Sequence, residues 1–294
     1  MTTEAVTDHN SGVPPLAKVP AKARPWLDLN ASALAGLCLV AAAVLGAIMA
    51  PLLTSADPLA LGTATLRPPS LLHPMGTDDL GRDVFARVLY GGRISLTVGL
   101  FSAAIAVTIG TAVGVVSGYA GGATDEILMR VTEMFQVIPR FLLAIVVVAL
   151  LGGGEGRIIV IIGVLSWVGT ARVVRAQLLV LRGEEFVLAA ILGGAYPGRV
   201  IVRHILPNVV PFIIVSGSLQ TASAILTESF LSFLGLGDPA HPSWGLLLQQ
   251  AQLFLQQAWW MSTFPGLALS MTILGLNLLG DGLASKFGAG RVAR

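Results

Sequence analysis

The chain has 294 residues, of which 54% are hydrophobic and only 12% are charged, and its mean hydropathy is +0.81. Because a soluble domain carries charge on about a quarter of its residues, this composition predicts a membrane protein. The net charge is only +2 and the basic residues are not gathered into one block, which argues against a nucleic-acid partner. Cys38 is the single cysteine, so an internal disulfide and a cysteine-based metal site are both excluded.

The first 30 residues are polar and rich in proline and alanine, which predicts a disordered cytoplasmic tail over residues 1–30. An uncharged run follows over residues 29–56. This run is longer than the roughly 7–15 apolar residues of a cleaved signal peptide. We therefore expect a retained first span near residues 32–53, within a transmembrane domain that covers residues 31–294.

Five further apolar segments predict spans, because a helix of about 20 apolar residues crosses the hydrocarbon core of a bilayer. These spans lie near residues 94–118, 127–151, 158–176, 209–232 and 265–284. The first of the five carries Gly110, Gly114 and Gly118 on one helix face. Such a row of small residues lets another helix approach closely, so it predicts a helix-packing surface.

The region from residue 127 to 175 allows two interpretations. Its uncharged stretches, residues 141–154 and 158–171, are short for full spans and are compatible with a re-entrant hairpin. Arginine side chains can reach the interface from within a helix, however, so both helices could extend past the charged residues that flank them. We favour two spans, which makes six in all and predicts an all-α polytopic membrane protein.

Between the last two spans lies PSWGLLLQQAQLFLQQAWW, residues 242–260. Gln249, Gln252 and Gln256 share one helical stripe, and leucines occupy the other face. This pattern predicts a helix lying in the membrane interface, with Trp259 and Trp260 as an aromatic anchor.

The distribution of basic residues predicts the orientation of the six spans. One side of the membrane receives most of the 18 lysines and arginines, namely Lys18, Lys22, Arg24, Arg130, Arg172, Arg175, Arg182, Arg199, Arg203, Lys286, Arg291 and Arg294. The other side receives Arg67, Arg82, Arg87, Arg93 and Arg157, and Arg140 lies near a membrane boundary. Because basic residues are enriched in cytoplasmic loops, we expect both termini and the loop 172–207 in the cytoplasm.

The sequence contains no motif for catalysis or energy coupling. None of the three lysines follows a glycine, so there is no GxxxxGK[ST] nucleotide loop, and the four histidines form no metal-binding pair. A proton- or sodium-coupled carrier needs ionisable groups or broken helices at the membrane midplane, and Glu228, toward the outer end of the fifth span, is the nearest candidate. We therefore expect no catalytic site, no metal site and no energy source within the chain.

Residues 76–93, GTDDLGRDVFARVLYGGR, predict an interfacial helix with ion pairs on the outer side before the second span. Thr77 or Asp78 is expected to cap this helix, and Asp83 is expected to pair with Arg87 on its polar side. The carboxylates suggest a metal site, but their spacing matches no calcium loop. The apolar stripe consists of Leu80, Val84 and Val88. The motif residues are Gly76, Thr77, Asp78, Gly81, Arg82 and Asp83.

Residues 186–208, FVLAAILGGAYPGRVIVRHILPN, predict a basic helix-turn-helix in the cytoplasm. Ala189 and Ala190 lie on a compact face of small residues, Gly194 permits a tight reversal, and Pro207 opens the next span. An exposed cytoplasmic segment of this kind suits a protein partner. The alternative is an amphipathic helix that lies on anionic lipid.

Residues 185–208 resemble the cytoplasmic signature of binding-protein-dependent ABC importer permeases, which is written EAA-x3-G-x9-I-x-L-P. The matching positions are Ala189, Ala190, Gly194, Leu206 and Pro207. Leu188 stands where the signature has glutamate, and His204 stands where it has isoleucine. Glu185 begins the E-[FY]-V-x-A-A variant of the same signature.

Five further blocks, in order along the chain, resemble the dipeptide and oligopeptide subfamily, specifically its C permease. They are HPMGTDDLGRDVFARVLYGGRISLTVG (73–99), GYAGGATDEILMR (118–130), ILTESFLSFLGLG (225–237), PSWG (242–245) and NLLGDGL (277–283). The resemblance implies a type I importer permease domain over residues 31–294, with six transmembrane helices and a coupling loop over residues 177–207. In this family the cytoplasmic helix docks on an ATPase subunit, which implies ATPase-coupling roles for Glu185, Ala189, Ala190, Gly194, Leu206 and Pro207.

The resemblance also implies partners. They are a homologous second permease in a heterodimer, one fused or two separate ATPase subunits that bind ATP and Mg, an extracytoplasmic solute-binding protein, membrane lipid and a peptide substrate. This chain would then be a non-catalytic subunit of a bacterial inner membrane, without a cofactor of its own. Nickel, glutathione and haem remain alternative substrates within the family, and a self-sufficient secondary transporter is the alternative from another class. An intramembrane serine protease is excluded, because His204 lies in the cytoplasmic loop and cannot reach a serine in the bilayer.

Overall fold

The computed structural model describes residues 30–292, with side chains as far as residue 287. The predicted disordered tail, residues 1–30, lies outside the described residues except for Asn30. Within the described part, the only β pairing is a single bridge between Thr77 and Asp83. The helices are α1 (Ala31–Ile48), α2 (Ala50–Leu53), α3 (Val84–Ala120), α4 (Gly122–Val137), α5 (Arg140–Leu151), α6 (Glu155–Leu165), α7 (Val168–Arg182), α8 (Glu185–Leu192), α9 (Pro197–Val200), α10 (Leu206–Phe233), α11 (Trp244–Ala251) and α12 (Trp260–Val292).

Five helical segments are long and apolar enough to cross a membrane. They are Ala31–Ile48, Val84–Ala120, Glu155–Arg182, Pro197–Phe233 and Trp260–Phe287. The pair formed by α4 and α5 makes a sixth if two bent helices are counted as one span. The predicted all-α polytopic membrane fold is therefore confirmed for the described residues, with five spans or six.

Several spans extend beyond their predicted limits. The predicted span 94–118 begins at Val84, because its early arginines are satisfied inside the fold: Arg87 pairs with Asp78, and Arg93 donates to carbonyl oxygens at the end of α1. The span predicted over residues 209–232 continues a helical path that starts at Pro197 and passes through a π-helical segment, Ile201–Ile205. Hydropathy alone could not place these ends, because it scores a paired arginine like a free one.

The span predicted over residues 127–151 is not one straight helix. α4 and α5 meet at an angle of 78°. The bend lies at Ile138 and Pro139, where Ile138 has an extended backbone with ψ 126°. A proline disfavours the helical conformation of the residue before it, which explains why α4 ends here. α5 has 12 residues and is about 18 Å long, too short to cross the hydrocarbon core by itself.

α3 is the central helix of the bundle, and α1, α6, α7 and α10 pack around it. The predicted glycine row faces α7. A Cβ atom on Gly110 would lie 2.6 Å from the carbonyl oxygen of Trp167, and one on Gly114 would lie 2.6 Å from that of Ala171. Gly118 faces the same helix one turn further on. The two backbones therefore approach to a distance that any side chain in the row would prevent.

The bundle has two distinct ends. The end that we call the α8 end carries α8, α9 and the π-helical segment, where α7 stops and α10 begins. The opposite end, the α11 end, carries α11 and the long connection 54–83. The turn 152–154 also lies at the α11 end, because a Cβ atom on Gly153 would lie 2.7 Å from the carbonyl oxygen of Leu236, just after α10.

We expect the two ends to face opposite sides of the membrane. In a Cys38→Ala background, the variants Glu155→Cys in the first turn of α6 and Gly198→Cys in α9 are expected to react with an impermeant maleimide from opposite sides. Labelling of right-side-out and inside-out vesicles measures this, with the Cys38→Ala chain as the unlabelled control. Reaction of both cysteines from the same side would contradict a span over Glu155–Arg182.

Candidate functional site

The α8 end carries a short helical hairpin formed by α8 and α9, which we call the α8–α9 hairpin. α8 begins at Glu185, where the positive end of the helix dipole favours a carboxylate. Gly193 ends the helix, and Gly194 reverses the chain with a φ of +81°, a left-handed conformation that glycine adopts readily. Pro197 then occupies the first turn of α9, where its missing N–H costs no hydrogen bond.

Buried aliphatic residues fix this hairpin to the bundle. Val187 of α8 and Val200 of α9 are both 0% exposed, and they belong to one apolar cluster with Val174 and Leu178 of α7. Ile205, in the π-helical segment, completes the same cluster. A displacement of the hairpin is therefore passed directly to α7 and to the start of α10.

Most other side chains of α8 face away from the bundle. The large apolar residues exposed on it are Phe186, Leu188, Ile191 and Leu192, and Leu192 is 88% exposed. Contiguous apolar groups at a protein surface indicate a contact with another protein or with a membrane. One face of the hairpin thus packs against the bundle, and the opposite face is exposed.

The predicted coupling residues divide between two places. The hairpin carries Glu185, Ala189, Ala190 and Gly194, of which Ala190 is half-buried and the others are exposed. Leu206 and Pro207 instead open α10, beyond the π-helical segment. His204, which departs from the family signature, lies within that π-helical segment, and its carbonyl oxygen accepts a hydrogen bond of 2.7 Å from the Asn208 amide.

At the α11 end, the motif predicted as an interfacial helix over residues 76–93 divides into two parts: residues 76–83 form a largely buried loop, and residues 84–93 are the first turns of α3. Helix α3 begins only at Val84, and its cap is Asp83, whose carboxylate accepts a 2.8 Å hydrogen bond from the backbone N–H of Ala86. The prediction that Thr77 or Asp78 caps the helix is therefore wrong. Asp83 does not pair with Arg87 either, because its second oxygen contacts Nδ1 of His73 at 2.8 Å.

Asp78 is the centre of a buried charge network. Its side chain is 1% exposed, and one carboxylate oxygen accepts from the backbone N–H groups of Leu80 and Arg82 at 3.0 and 2.8 Å. The other oxygen accepts from Nε of Arg82 at 2.7 Å and from the guanidinium of Arg87. Arg87 in turn donates a 2.8 Å bond to the side-chain oxygen of Gln250, on α11. Four charge-assisted or backbone bonds thus hold one carboxylate away from water.

Thr77 ties the same loop to α12. Its hydroxyl donates to the carbonyl oxygen of Ala64 at 2.6 Å, and its own carbonyl oxygen accepts a 3.0 Å bond from the indole N–H of Trp260. Trp260 is 5% exposed, so its predicted role as an interfacial anchor is wrong, whereas Trp259 is 55% exposed. Gly76 lies against this ring with a φ of +74°, where a Cβ atom would come within 2.7 Å of the indole.

A second buried carboxylate, Glu228 of α10, joins three helices near the α11 end. It is 2% exposed and accepts hydrogen bonds from the hydroxyls of Ser95, Ser229 and Ser232 at 3.1, 3.2 and 2.7 Å. Ser95 also accepts the backbone N–H of Trp244 at 3.3 Å, which connects α3 to α11. These hydroxyl donors satisfy the carboxylate without a counter-charge among residues 30–292.

The sequence pattern missed Gln250 and the serines around Glu228 as members of polar networks. The stripe that the sequence predicts in residues 242–260 contains Gln249, Gln252 and Gln256 but not Gln250, whose side chain is turned inward by its bond to the buried Arg87. The sequence offered one signal of a buried polar contact in this region, Trp260, because a tryptophan N–H usually finds a hydrogen-bond acceptor when the ring is buried. Among the residues that the structure describes, no three or more His, Cys, Asp or Glu side chains are grouped as metal ligands.

The chain matches known membrane proteins over most of its length. A family model described as "Binding-protein-dependent transport system inner membrane component" matches residues 110–290. The dipeptide transport system permease protein DppC of Alkalihalophilus pseudofirmus is 40% identical over 88% of each chain. DppC of Bacillus subtilis is 43% identical over 87% of this chain and 81% of its own, and the oligopeptide transport system permease protein OppC of that organism is 39% identical over 86% and 84%. These matches confirm the resemblance that the motifs indicated.

We expect the Asp78 network to stabilise the α11 end. Arg87→Met would leave the buried Asp78 carboxylate paired with Arg82 alone, so we expect a loss below the roughly 3–5 kcal/mol that follows when a buried charge is left unpaired. Glu126→Gln is the control, because it breaks an exposed pair with Arg130 that contributes little. Denaturant unfolding of the purified chain in detergent measures both variants.

The double variant Asp78→Asn/Arg87→Met separates charge from packing. Its asparagine oxygen still accepts the backbone N–H groups of Leu80 and Arg82, but its NH2 group replaces the oxygen to which Nε of Arg82 donates. Because Arg82 then loses its carboxylate partner, we expect the double variant to be less stable than Arg87→Met alone. Equal losses in the single and double variants would contradict a buried-charge origin of the effect.

Proposed function

Because the chain belongs to the family of binding-protein-dependent transport system inner membrane components, we propose that it forms half of a membrane pathway for dipeptides and oligopeptides in an ATP-driven importer. The names of its relatives, dipeptide and oligopeptide permeases, support this substrate class. The other half of the pathway is a homologous second permease. A solute-binding protein delivers the substrate from outside.

ATP hydrolysis belongs to partner subunits, which are either one fused chain or two separate chains and which bind the ATP and the Mg. This chain is the non-catalytic permease in a bacterial inner membrane. Its own contribution is mechanical, since it converts movement of the ATPase subunits into opening of the pathway on alternate sides.

The observation that carries this proposal is the α8–α9 hairpin. It offers an apolar outer face, with Leu188 and Leu192 exposed, to a groove on the ATPase, while Val187 is buried against α7. A protein partner fits this arrangement better than lipid does, because the flanking α7 and α10 continue rigidly from the hairpin into the membrane. Force applied to the hairpin then acts on the two helices that pack on α3.

The α8 end faces the cytoplasm in this proposal, and both termini lie on the same side. Arg199 and Arg203 are exposed at this end, as the enrichment of basic residues in cytoplasmic loops predicts. At the α11 end, by contrast, Arg82 and Arg87 are paired with Asp78. In the labelling experiment described above, Glu155→Cys is accordingly the variant that reacts from outside.

We expect Gly194→Trp and Ala189→Arg to insert normally but to lose substrate-stimulated ATP hydrolysis and import. Ala189 is exposed on the docking face, where an arginine would obstruct a close contact. Gly194 has a φ of +81°, so a side chain there adds strain of about 1 kcal/mol and bulk at the reversal. Copurification of the ATPase subunits and their stimulated activity measure the effect.

Gly235→Trp is the matched control for Gly194→Trp. Gly235 also has a φ of +81° with nothing within 4 Å of its Cβ position, but it lies at the α11 end. It carries the same backbone strain without touching the hairpin, so the ATPase subunits are expected to copurify with it. Normal stimulated ATPase activity in both hairpin variants would show that the α8–α9 hairpin is not the coupling element.

Deletion of this chain is expected to abolish growth on a dipeptide that supplies an essential amino acid, because half of the pathway is then missing. Re-expression of the wild-type chain restores growth, and the Gly194→Trp variant does not. Uptake of a radiolabelled dipeptide measures the same loss directly. Unchanged dipeptide uptake together with lost uptake of nickel, glutathione or haem would assign a different substrate.

A further inference from the structure

The bend between α4 and α5 places a basic side chain, Arg140, between the two ends of the bundle. Arg140 is the first residue of α5, and the 12 residues of this helix separate it by about 18 Å from the turn 152–154 at the α11 end. The hydrocarbon core of a bilayer is about 30 Å thick. Arg140 therefore starts α5 at a distance from the α11 end that is shorter than the thickness of the hydrocarbon core, whereas the sequence placed it near a membrane boundary.

Two aromatic contacts hold this bend in position. Phe141 packs edge-on against Phe230 of α10, with ring centroids 4.6 Å apart. Phe135, near the end of α4, packs in the same way against Trp167, at 5.5 Å. Trp167 itself lies at the interruption between α6 and α7. Two broken helices thus meet here, which is the arrangement that lines substrate sites in membrane transporters.

Arg140 has no partner within the part of the chain that the structure describes. It is exposed, and among residues 30–292 no hydrogen bond, ion pair or aromatic ring satisfies it. α5 has no side-chain cap and no acidic residue in its first turn, so its free backbone N–H groups add a positive partial charge beside the guanidinium. A charge placed in lipid at this depth is costly, whereas one that faces a water-filled pathway is not.

Two cavities share Arg140 as a lining residue. One, of about 270 Å³, is bounded by the side chains of Arg140, Ser166 and Thr227. Another, of about 350 Å³, is bounded by Arg140, Gln136 and the start of α7.

The cavities continue toward the α8 end between α4 and α7. Glu133 of α4 and Arg172 of α7 bound a further cavity of about 370 Å³. Glu133 and Gln136 are three residues apart and share one face of α4, as Gly169 and Arg172 do on α7. Each wall of this groove therefore carries polar side chains. Its charged residues toward the α8 end, Glu133 and Arg172, have opposite signs.

We propose that Arg140, assisted by the uncapped start of α5, binds the terminal carboxylate of the peptide inside the translocation pathway. A guanidinium presents two parallel N–H donors that match a carboxylate, which makes it more selective than a simple positive charge. The groove past Glu133 and Arg172 then receives the remainder of a zwitterionic substrate. The inference rests on the proposed peptide transport and adds that the permease itself selects for a free carboxylate.

The test uses the complete importer in proteoliposomes, with a radiolabelled dipeptide and the same dipeptide amidated at its carboxyl end. ATP-driven uptake of each is measured at concentrations that saturate the solute-binding protein. The wild-type complex is expected to prefer the free carboxylate by about tenfold or more, the order of one charge-assisted bidentate contact. Arg140→Gln is expected to reduce uptake of the free dipeptide by a similar factor. The ratio of free to amidated dipeptide uptake is then expected to be close to one.

Two further variants complete the test. Arg140→Lys keeps the charge but not the paired donors, so its ratio is expected to lie between those of the wild type and Arg140→Gln. Arg157→Gln is the control, because it removes an arginine from the other end of the α5–α6 pair, where the side chain contacts only the carbonyl oxygen of Leu151. Its ratio is expected to match the wild type.

Three outcomes would overturn the inference. Equal loss of both substrates in Arg140→Gln would point to a structural role or to binding of a lipid phosphate. A ratio that stays high in Arg140→Gln would place carboxylate selection elsewhere in the importer. Absence of any dipeptide uptake by the wild-type complex would instead refute the proposed function itself, and membrane levels of each variant distinguish these results from failed insertion.

Discussion

The close contact between α3 and α7 is the constraint on which the rest of this bundle depends. Gly110 and Gly114 bring the two backbones together at positions where a Cβ atom would meet main-chain oxygen. α7 ends at Arg182, directly before the α8–α9 hairpin, so the helix that carries the hairpin is the one packed most tightly on the central helix. Packed backbones without intervening side chains cannot slide freely past each other. We therefore expect motion at the α8 end to move α7 and α3 together.

The two ends of the bundle differ: the α11 end buries polar groups, and the α8 end exposes apolar side chains. At the α11 end, Asp78 of the connection 54–83 is buried and pairs with Arg82 and with Arg87 of α3. Arg87 donates to Gln250 of α11, and the Trp260 indole of α12 donates to the carbonyl oxygen of Thr77. Buried charges of this kind contribute less to stability than to a single defined arrangement, since any other arrangement leaves them unpaired. The α8 end instead leaves Leu188 and Leu192 exposed, which suits a surface completed by another protein.

Between these ends, two helix breaks leave polar backbone groups inside an otherwise apolar bundle. The Ile138–Pro139 bend ends α4, and the Ser166–Trp167 interruption divides α6 from α7 at the same level. Each break frees backbone groups and lets Arg140 and Gln136 reach cavities rather than lipid. The bilayer tolerates such irregular backbone only where protein or water covers it, so we expect both breaks to face protein or water and not lipid.

The sequence alone determined the features that depend on local order. Hydropathy located the apolar spans, and Ala189, Gly194 and Pro197 located the hairpin, because a helix, a φ > 0 reversal and a proline start are set by neighbouring residues. Only the tertiary structure decided which polar residues are buried. Gln250 meets Arg87 across 163 residues, and Trp260 meets Thr77 across 183. An amphipathic stripe has the same periodicity whether its polar face meets water or a buried arginine, so periodicity could not distinguish the two.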